Sequence, residues 1–142
     1  VTDTKAPEKG LVCHVATVAS GVLTVGMAVS AQVDAKRRAC IARNHTCTHI
    51  LHAALRQVLG AHVKQAGSYV GPDRLRFDFT HFESVTPEQL KQVEELANNV
   101  IMSATATNIF ETSLAKAREE GVTALFGEKY GDVVRVGQMG KL

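Results

Sequence analysis

The first part of the chain is a run of apolar positions interrupted by glycines. β-branched residues dominate between Leu11 and Asp34, and Gly21 and Gly26 fall at intervals that are typical of turns. This pattern predicts short strands rather than helices. The predicted strands are Leu11–Ala19, Val22–Val25 and Val29–Asp34. Strands separated in this way close most easily into a small barrel, so we expect residues 1–38 to form a partial β-barrel module.

From Ala39 onward the apolar positions recur at helical spacing, which predicts a domain boundary near residues 36–43. Asn44 is a suitable N-cap for a helix from His45 to Leu59, and Gly60 follows as its C-terminal stop. The segment Thr86-Pro87-Glu88-Gln89 is a capping box with proline at the first helical position, which predicts a second helix.

The remaining elements mix strands with one short helix. Alternation of apolar and polar residues predicts a strand over Arg74–Phe82. The other expected elements are Gln65–Gly71, a strand at Thr107–Thr112, a helix at Ser113–Gly121 and a strand at Asp132–Gly137. Because these strands do not alternate strictly with helices, residues 39–142 are expected to form an α+β core rather than a doubly wound sheet.

Composition narrows the class of protein. The chain has 142 residues, of which 45% are hydrophobic and 21% charged, as in a folded domain. Lys and Arg number 16 against 14 Asp and Glu, so net charge alone does not indicate a nucleic-acid partner. The basic excess lies in the first 44 residues, at Lys5, Lys9, Lys36, Arg37, Arg38 and Arg43. Any phosphate-binding surface is therefore expected in that part.

Several functions lack support in the sequence. Three cysteines without C-x-x-C spacing indicate neither a disulfide framework nor a cysteine-only zinc site, and they suit a reducing, cytoplasmic compartment. The uncharged stretch from Leu11 to Ala31 contains polar residues and two glycines, so we expect strands there and no membrane helix. The chain has no G-x-G-x-x-G sequence and no P-loop, so nucleotide binding within it is not supported.

The most informative segment is the predicted first helix. At 100° per residue, His49, His52 and Arg56 lie within about 40° of His45 and form one polar stripe. The residues expected on the opposite, core-facing side are Cys47, Leu51, Ala54 and Val58. Cys47 is therefore interpreted as a small buried hydrophobe and not as a metal ligand.

His45 and His49 have the spacing by which two imidazoles on one helix can bind the same cation. Thr46 stands where an H-E-x-x-H protease has its glutamate, which excludes that chemistry. The spacing alone leaves metal binding and merely solvated imidazoles both open. A zinc site also needs further ligands, and the candidates here are His14, His62, His81, Cys13 and Cys40. None of them forms a second pair at ligand spacing, so the rest of the site is expected outside the chain.

Four segments together resemble the editing region of bacterial alanyl-tRNA synthetases. They are Arg43-Asn44-His45-Thr46-Cys47-Thr48-His49, residues 53–60 (AALRQVLG), residues 71–79 (GPDRLRFDF) and residues 125–132 (LFGEKYGD). The resemblance spans nearly the whole chain, and free-standing alanyl-tRNA editing proteins share part of it. It implies a β-barrel followed by an α+β editing core, of the second-additional-domain type found in threonyl- and alanyl-tRNA synthetases.

The resemblance also implies an activity, which is hydrolysis of the ester that joins wrongly attached serine or glycine to alanine tRNA. It implies zinc bound by His45 and His49 together with a later C-x-x-x-H, and substrate recognition by Thr48 and Gln65. Without the resemblance, Thr48 would be a helix-surface threonine and Gln65 an ordinary loop glutamine. A pocket that reads the serine hydroxyl by hydrogen bonds would hold alanine weakly.

Two departures from the family pattern affect these expectations. The family usually has alanine at Cys47, a core-side difference of little expected effect. The sequence also ends at Leu142, before the family's Cys-Gly-Gly-Thr-His. We therefore expect a segment of a longer synthetase that holds half of its zinc ligands and that is inactive and binds zinc weakly by itself. ATP, magnesium and alanine would be used only by the full-length parent.

Two alternatives to an editing module within alanine–tRNA ligase stay open. One is a free-standing alanyl-tRNA deacylase. The other is a tRNA-binding module without catalysis, in which Lys36, Arg37, Arg38 and Arg43 contact phosphates and the histidines hold no metal. These four residues could equally be a solvated interdomain cluster.

Overall fold

The structure is a computed structural model that describes residues 1–119 and 131–139. It divides into two compact units, Val1–Val33 and Asp34–Leu142. In the described residues the second unit contains three helices and two antiparallel strand pairs, which confirms a mixed α and β architecture.

The first unit contains a single hairpin among its 33 residues. Strand β1, Asp3–Glu8, pairs antiparallel with β2, Leu11–Val15, through a turn in which Gly10 has φ of 87°. The expected strands at Val22–Val25 and Val29–Asp34 are not formed, and the barrel is not confirmed. All residues of this unit are exposed, those of β1 and β2 included, and within the described residues the two expected strands that do not form have no partner strand with which to pair.

Helix α1 spans Ala35–Leu59, ten residues more than the sequence predicts at its N-terminus. Asp34 is the N-cap, with its carboxylate accepting a hydrogen bond from the Arg37 amide. The assignment of Asn44 as N-cap is wrong, because Asn44 lies inside the helix and its side chain bonds elsewhere. The end at Leu59 is confirmed, and Gly60 follows with φ of 116°, a conformation that favours glycine.

A hairpin packs against α1. Strand β3, Lys64–Val70, pairs antiparallel with β4, Leu75–Thr80. Phe77 and Phe79 of β4 point to the core beside α1. Because residues directly opposite each other share a face of the sheet, their partners Ser68 and Gln65 lie on that same face.

The predicted capping box begins α2, Pro87–Met102. Thr86 Oγ1 accepts from the Gln89 amide, and the Gln89 side chain accepts from the Thr86 amide. The core of this layer is formed by α1, α2 and the β3 entry, with Ala54, Leu55, Leu59, Val63 and Val93 buried. All three α1 members of this cluster belong to the C-terminal third of the helix, beyond His49.

A second, smaller core belongs to the last described elements, which are β5 Thr107–Ser113, α3 Leu114–Glu119 and β6 Val133–Met139. Strands β5 and β6 pair antiparallel, and Ala117, Val134 and Val136 are buried between them and α3. The expected helix end at Gly121, the motif residues 125–130 and residues 140–142 lie outside the described part. None of the described helices is long and apolar enough to span a membrane.

Candidate functional site

The two histidines of the H-x-x-x-H sequence lie next to each other on α1. The ring centres of His45 and His49 are 5.0 Å apart, and the rings are nearly perpendicular. Two imidazoles bound to one tetrahedral zinc at Zn–N distances of about 2.0–2.1 Å would have ring centres about 5 Å apart. The observed spacing therefore fits a shared metal ion.

The surroundings of His49 favour the uncharged imidazole. Burial lowers the pKa of the half-buried His49, and positive charge on His45 or His52 lowers it further. The neutral ring is the form that binds metal, so proton competition is weak at this ligand. Over residues 1–119 and 131–139, neither the His45 ring nor the His49 ring takes part in a hydrogen bond, and no cluster of three or more potential ligands is formed. These residues thus offer two donors.

The two residues expected to recognise substrate lie on different elements. Thr48 is buried on α1, and its hydroxyl donates to the His45 carbonyl at 2.7 Å. Gln65 is half-buried on β3, and its Nε2 donates to Ser68 Oγ at 3.1 Å. Gln65 lies on the face of the hairpin that packs against α1, but the described contacts include no hydrogen bond that joins it to His45 or His49. Their proposed roles stay predictions.

The expected polar stripe is only partly correct. His52 is buried, with its ring 5.3 Å from that of Phe77 and Nε2 3.5 Å from the Val63 carbonyl. Arg56 donates to the carbonyls of Ala61 and Val63. Since α1 packs against both α2 and the hairpin, its buried arc is wider than the wheel predicts and includes this side of the helix.

The core-facing prediction is correspondingly mixed. Ala54 is fully buried, but Cys47, Leu51 and Val58 are half-buried. Burial raises the pKa of the Cys47 thiol, which keeps it protonated near neutral pH. A protonated thiol is a poor metal ligand, so this environment agrees with a structural role for Cys47.

The four basic residues proposed for tRNA contact all lie on α1 and are exposed. They do not form one stripe, because at 100° per residue Lys36 and Arg43 project about 20° apart while Arg38 projects from nearly the opposite side. The first turn has no acidic residue, so Lys36, Arg37 and Arg38 stand at the positive end of the helix dipole. The Asp34 carboxylate at the N-cap offsets part of this positive charge, and a bound anion would offset more of it.

A second histidine pair escaped the sequence pattern. His62 Nε2 and His81 Nδ1 are 2.8 Å apart, and the exposed Phe82 stacks on His62 with ring centres 4.4 Å apart. Both histidines were candidate zinc ligands, and pairing of Lys64 with Thr80 at the open end of the hairpin brings them together. Of the remaining candidates, Cys13 and His14 belong to β2, with His14 hydrogen-bonded to Thr4, and Cys40 belongs to α1. The one signal for this pair in the sequence is its position, because His62 precedes the expected element Gln65–Gly71 and His81 lies near the end of the expected strand Arg74–Phe82.

Comparison with known proteins settles the family resemblance. No protein-family model matches the chain. The alanine–tRNA ligase of Acetivibrio thermocellus is 56% identical over 140 residues, which cover 99% of this chain and 16% of that protein. The alanine–tRNA ligase of Thermus thermophilus is 57% identical over 136 residues, or 96% of this chain and 15% of that protein. The chain matches one segment of alanine–tRNA ligase.

The match confirms the resemblance that the motif at residues 43–49 indicates. It extends to the alanine–tRNA ligase of Desulforamulus reducens, which is 54% identical over 140 residues. The chain spans about 16% of the length of the relatives from Acetivibrio and Desulforamulus. The residues that the structure describes thus belong to an aminoacyl-tRNA synthetase region of mixed α and β structure.

Proposed function

We propose that this chain is the editing region of an alanine–tRNA ligase and that it serves the fidelity of protein biosynthesis in the cytoplasm. Its reaction is hydrolysis of the ester that wrongly joins serine or glycine to alanine tRNA. The observation that carries the proposal is the His45–His49 pair, 5.0 Å between ring centres, in a chain that is 56% identical over 140 residues to the Acetivibrio ligase.

In this proposal His45 and His49 hold a zinc ion, and a C-x-x-x-H sequence beyond Leu142 supplies its other ligands. When bound, zinc can polarise the ester carbonyl, hold the attacking water or anchor the amino group of the substrate. The protein's contribution at His49 is a lowered pKa, which keeps the ring ready to bind at neutral pH.

Thr48 and Gln65 would read the serine side chain as hydrogen-bond acceptors. The Thr48 hydroxyl donates its proton to the His45 carbonyl, and its oxygen lone pairs stay free to accept. Gln65 donates from Nε2 to Ser68 Oγ, and its side-chain carbonyl oxygen stays free to accept. An acceptor gains a bond from the serine hydroxyl and none from alanine, so correctly charged tRNA is held less well. Glycine would be admitted by its small size.

The exposed cations at the start of α1 would contact tRNA phosphates. Lys36, Arg37 and Arg38 lie at the start of the helix, where Asp34 at the N-cap supplies one carboxylate beside three cations, and Arg43 follows on the same helix. Phosphates would relieve the unfavourable charge at this helix end. ATP, magnesium and alanine are assigned to other parts of a full-length ligase.

The decisive experiment measures release of serine from serine-charged alanine tRNA by a longer protein that includes this chain and its C-terminal continuation. We expect rapid hydrolysis that is lost in His45→Ala and kept in His14→Ala, a matched histidine in the other unit. Binding of tRNA with no hydrolysis in the wild type would contradict the proposal and favour the non-catalytic tRNA-binding module. A deacylase encoded without the synthesis domains would favour the free-standing form.

A further inference from the structure

Asn44 connects the histidine turn of α1 to the tip of the hairpin. Its Nδ2 donates to the Gly71 carbonyl at 2.8 Å and lies 3.5 Å from the Pro72 carbonyl. Asparagine is a poor residue for a helix interior, so propensity does not account for its position immediately before His45. Its amide is instead used for a contact 27 residues away along the chain.

A second polar connection lies farther along the same helix, near its C-terminus. Arg56 and His52 both approach the carbonyl of Val63, where β3 begins. The chain runs down α1 and back up β3, so Asn44 joins the middle of the helix to the end of β3, and Arg56 joins the C-terminal part of the helix to the start of β3. His49 and Thr48 lie between them on α1, and Gln65 and Ser68 lie between them on β3.

The connections at Asn44 and at Arg56 differ in how much apolar packing surrounds them. The buried cluster of Ala54, Leu55, Leu59, Val63 and Val93 surrounds the Arg56 end. His45 lies ten residues, or about 15 Å, from Leu55 along the helix axis. Asn44 therefore holds a part of α1 that lies outside this buried cluster, directly before the first histidine.

We propose that Asn44 is a positioning residue that sets the histidine pair in register with the polar residues of β3. It acts through the carbonyls of Gly71 and Pro72 and touches neither metal nor substrate. The proposal rests on the proposed function, because the register matters for activity only if Thr48, Gln65 and the metal act on one substrate. The tether itself is a property of the fold.

The test compares Asn44→Ala and Asn44→Asp with Asn98→Ala, a matched change at an exposed position of α2, all in the full-length protein. Asp has the shape of Asn, but when ionised it cannot donate and it adds a negative charge facing two carbonyl oxygens, so Asn44→Asp should be impaired at least as much as Asn44→Ala. We expect kcat for serine-charged tRNA to fall by about 10- to 100-fold, as when other ligand-orienting contacts are lost, with KM nearly unchanged. The preference for serine-charged over alanine-charged tRNA should fall as well.

A purely structural role would reduce the active fraction and leave that preference unchanged, and this result would overturn the proposal. So would wild-type kcat and preference in Asn44→Ala. Hydrogen exchange provides a readout that does not depend on activity. In Asn44→Ala the amides of residues 68–74 should exchange faster while those of residues 54–59 do not. A wild type without deacylation refutes the proposed function, whereas unchanged exchange refutes the tether.

Discussion

Arg56 offers a quantitative test of how α1 is joined to β3. Its Nη1 donates to the Ala61 carbonyl at 2.6 Å and to the Val63 carbonyl at 3.1 Å. Arg56→Met removes both hydrogen bonds and keeps most of the apolar stem. Ala61 is exposed, so its carbonyl regains water, but Val63 is fully buried and keeps only His52 Nε2 at 3.5 Å. The main cost is therefore the loss at Val63.

A hydrogen bond from a charged donor contributes about 1.5–3 kcal/mol, so we expect Arg56→Met to lower the free energy of unfolding by that amount. With a urea m-value of about 1–3 kcal/mol/M, the midpoint should fall by about 1 M. Circular dichroism at the helix band reports the transition. Arg43→Met is the matched control on the same helix, because Arg43 is exposed and contacts only Cys40 Sγ at 3.2 Å. Equal midpoints for the two variants would refute a stabilising role for the hydrogen bonds of Arg56 to Ala61 and Val63.

Two further predictions concern the histidine helix. In the longer protein, His49→Ala should abolish deacylation, whereas Cys47→Ala should leave its rate within about twofold. The reason is that the half-buried Cys47 thiol has a raised pKa and stays protonated. Equal loss of activity in both variants would show that Cys47 is part of the site. Burial lowers the pKa of His52, and the charge of Arg56 lowers it further, whereas the contact with the Val63 carbonyl acts in the opposite direction. Below about pH 6.5 the unfolded chain therefore binds more protons than the folded one. The free energy of unfolding should decrease as the pH falls from about 7.5 to 5.5. His52→Gln, whose amide can still donate to the Val63 carbonyl, should reduce this pH dependence. An unchanged pH profile in the variant would show that His52 is not its cause.

Local signals in the sequence predicted the elements that depend on local contacts. The capping box at Thr86 and Gln89 fixes the start of α2, because both of its hydrogen bonds lie within four residues. Gly60 similarly ends α1 where expected. The sequence pattern also predicted the ends of strands β5 and β6 to within two residues.

Features that depend on distant partners were not predictable in the same way. Asn44 has the chemistry of an N-cap, but Asp34 takes that role and Asn44 donates to Gly71, a choice that only the hairpin determines. The expected strands at Val22–Val25 and Val29–Asp34 do not form, because a strand needs a partner strand, which a local pattern does not reveal. His62 and His81 meet only through the register of β3 and β4.

For the candidate site, the sequence predicted the pairing of His45 and His49 because both lie within one helical turn. It placed His52 and Arg56 on an exposed stripe, where the structure has them against β3, since the wheel cannot show how many neighbours a helix has. The Thr48 hydroxyl proton and one Nε2 hydrogen of Gln65 are engaged within the protein, and both side chains keep an oxygen that can accept.

The most direct test of the account is a zinc titration of the metal-free longer protein, with serine release from alanine tRNA followed at each step. We predict that hydrolysis returns in proportion to bound zinc and saturates at one zinc per site, and that His45→Ala neither retains the metal nor regains activity. Full hydrolysis by the metal-free protein, or stoichiometric zinc in the absence of both His45 and His49, would contradict the account.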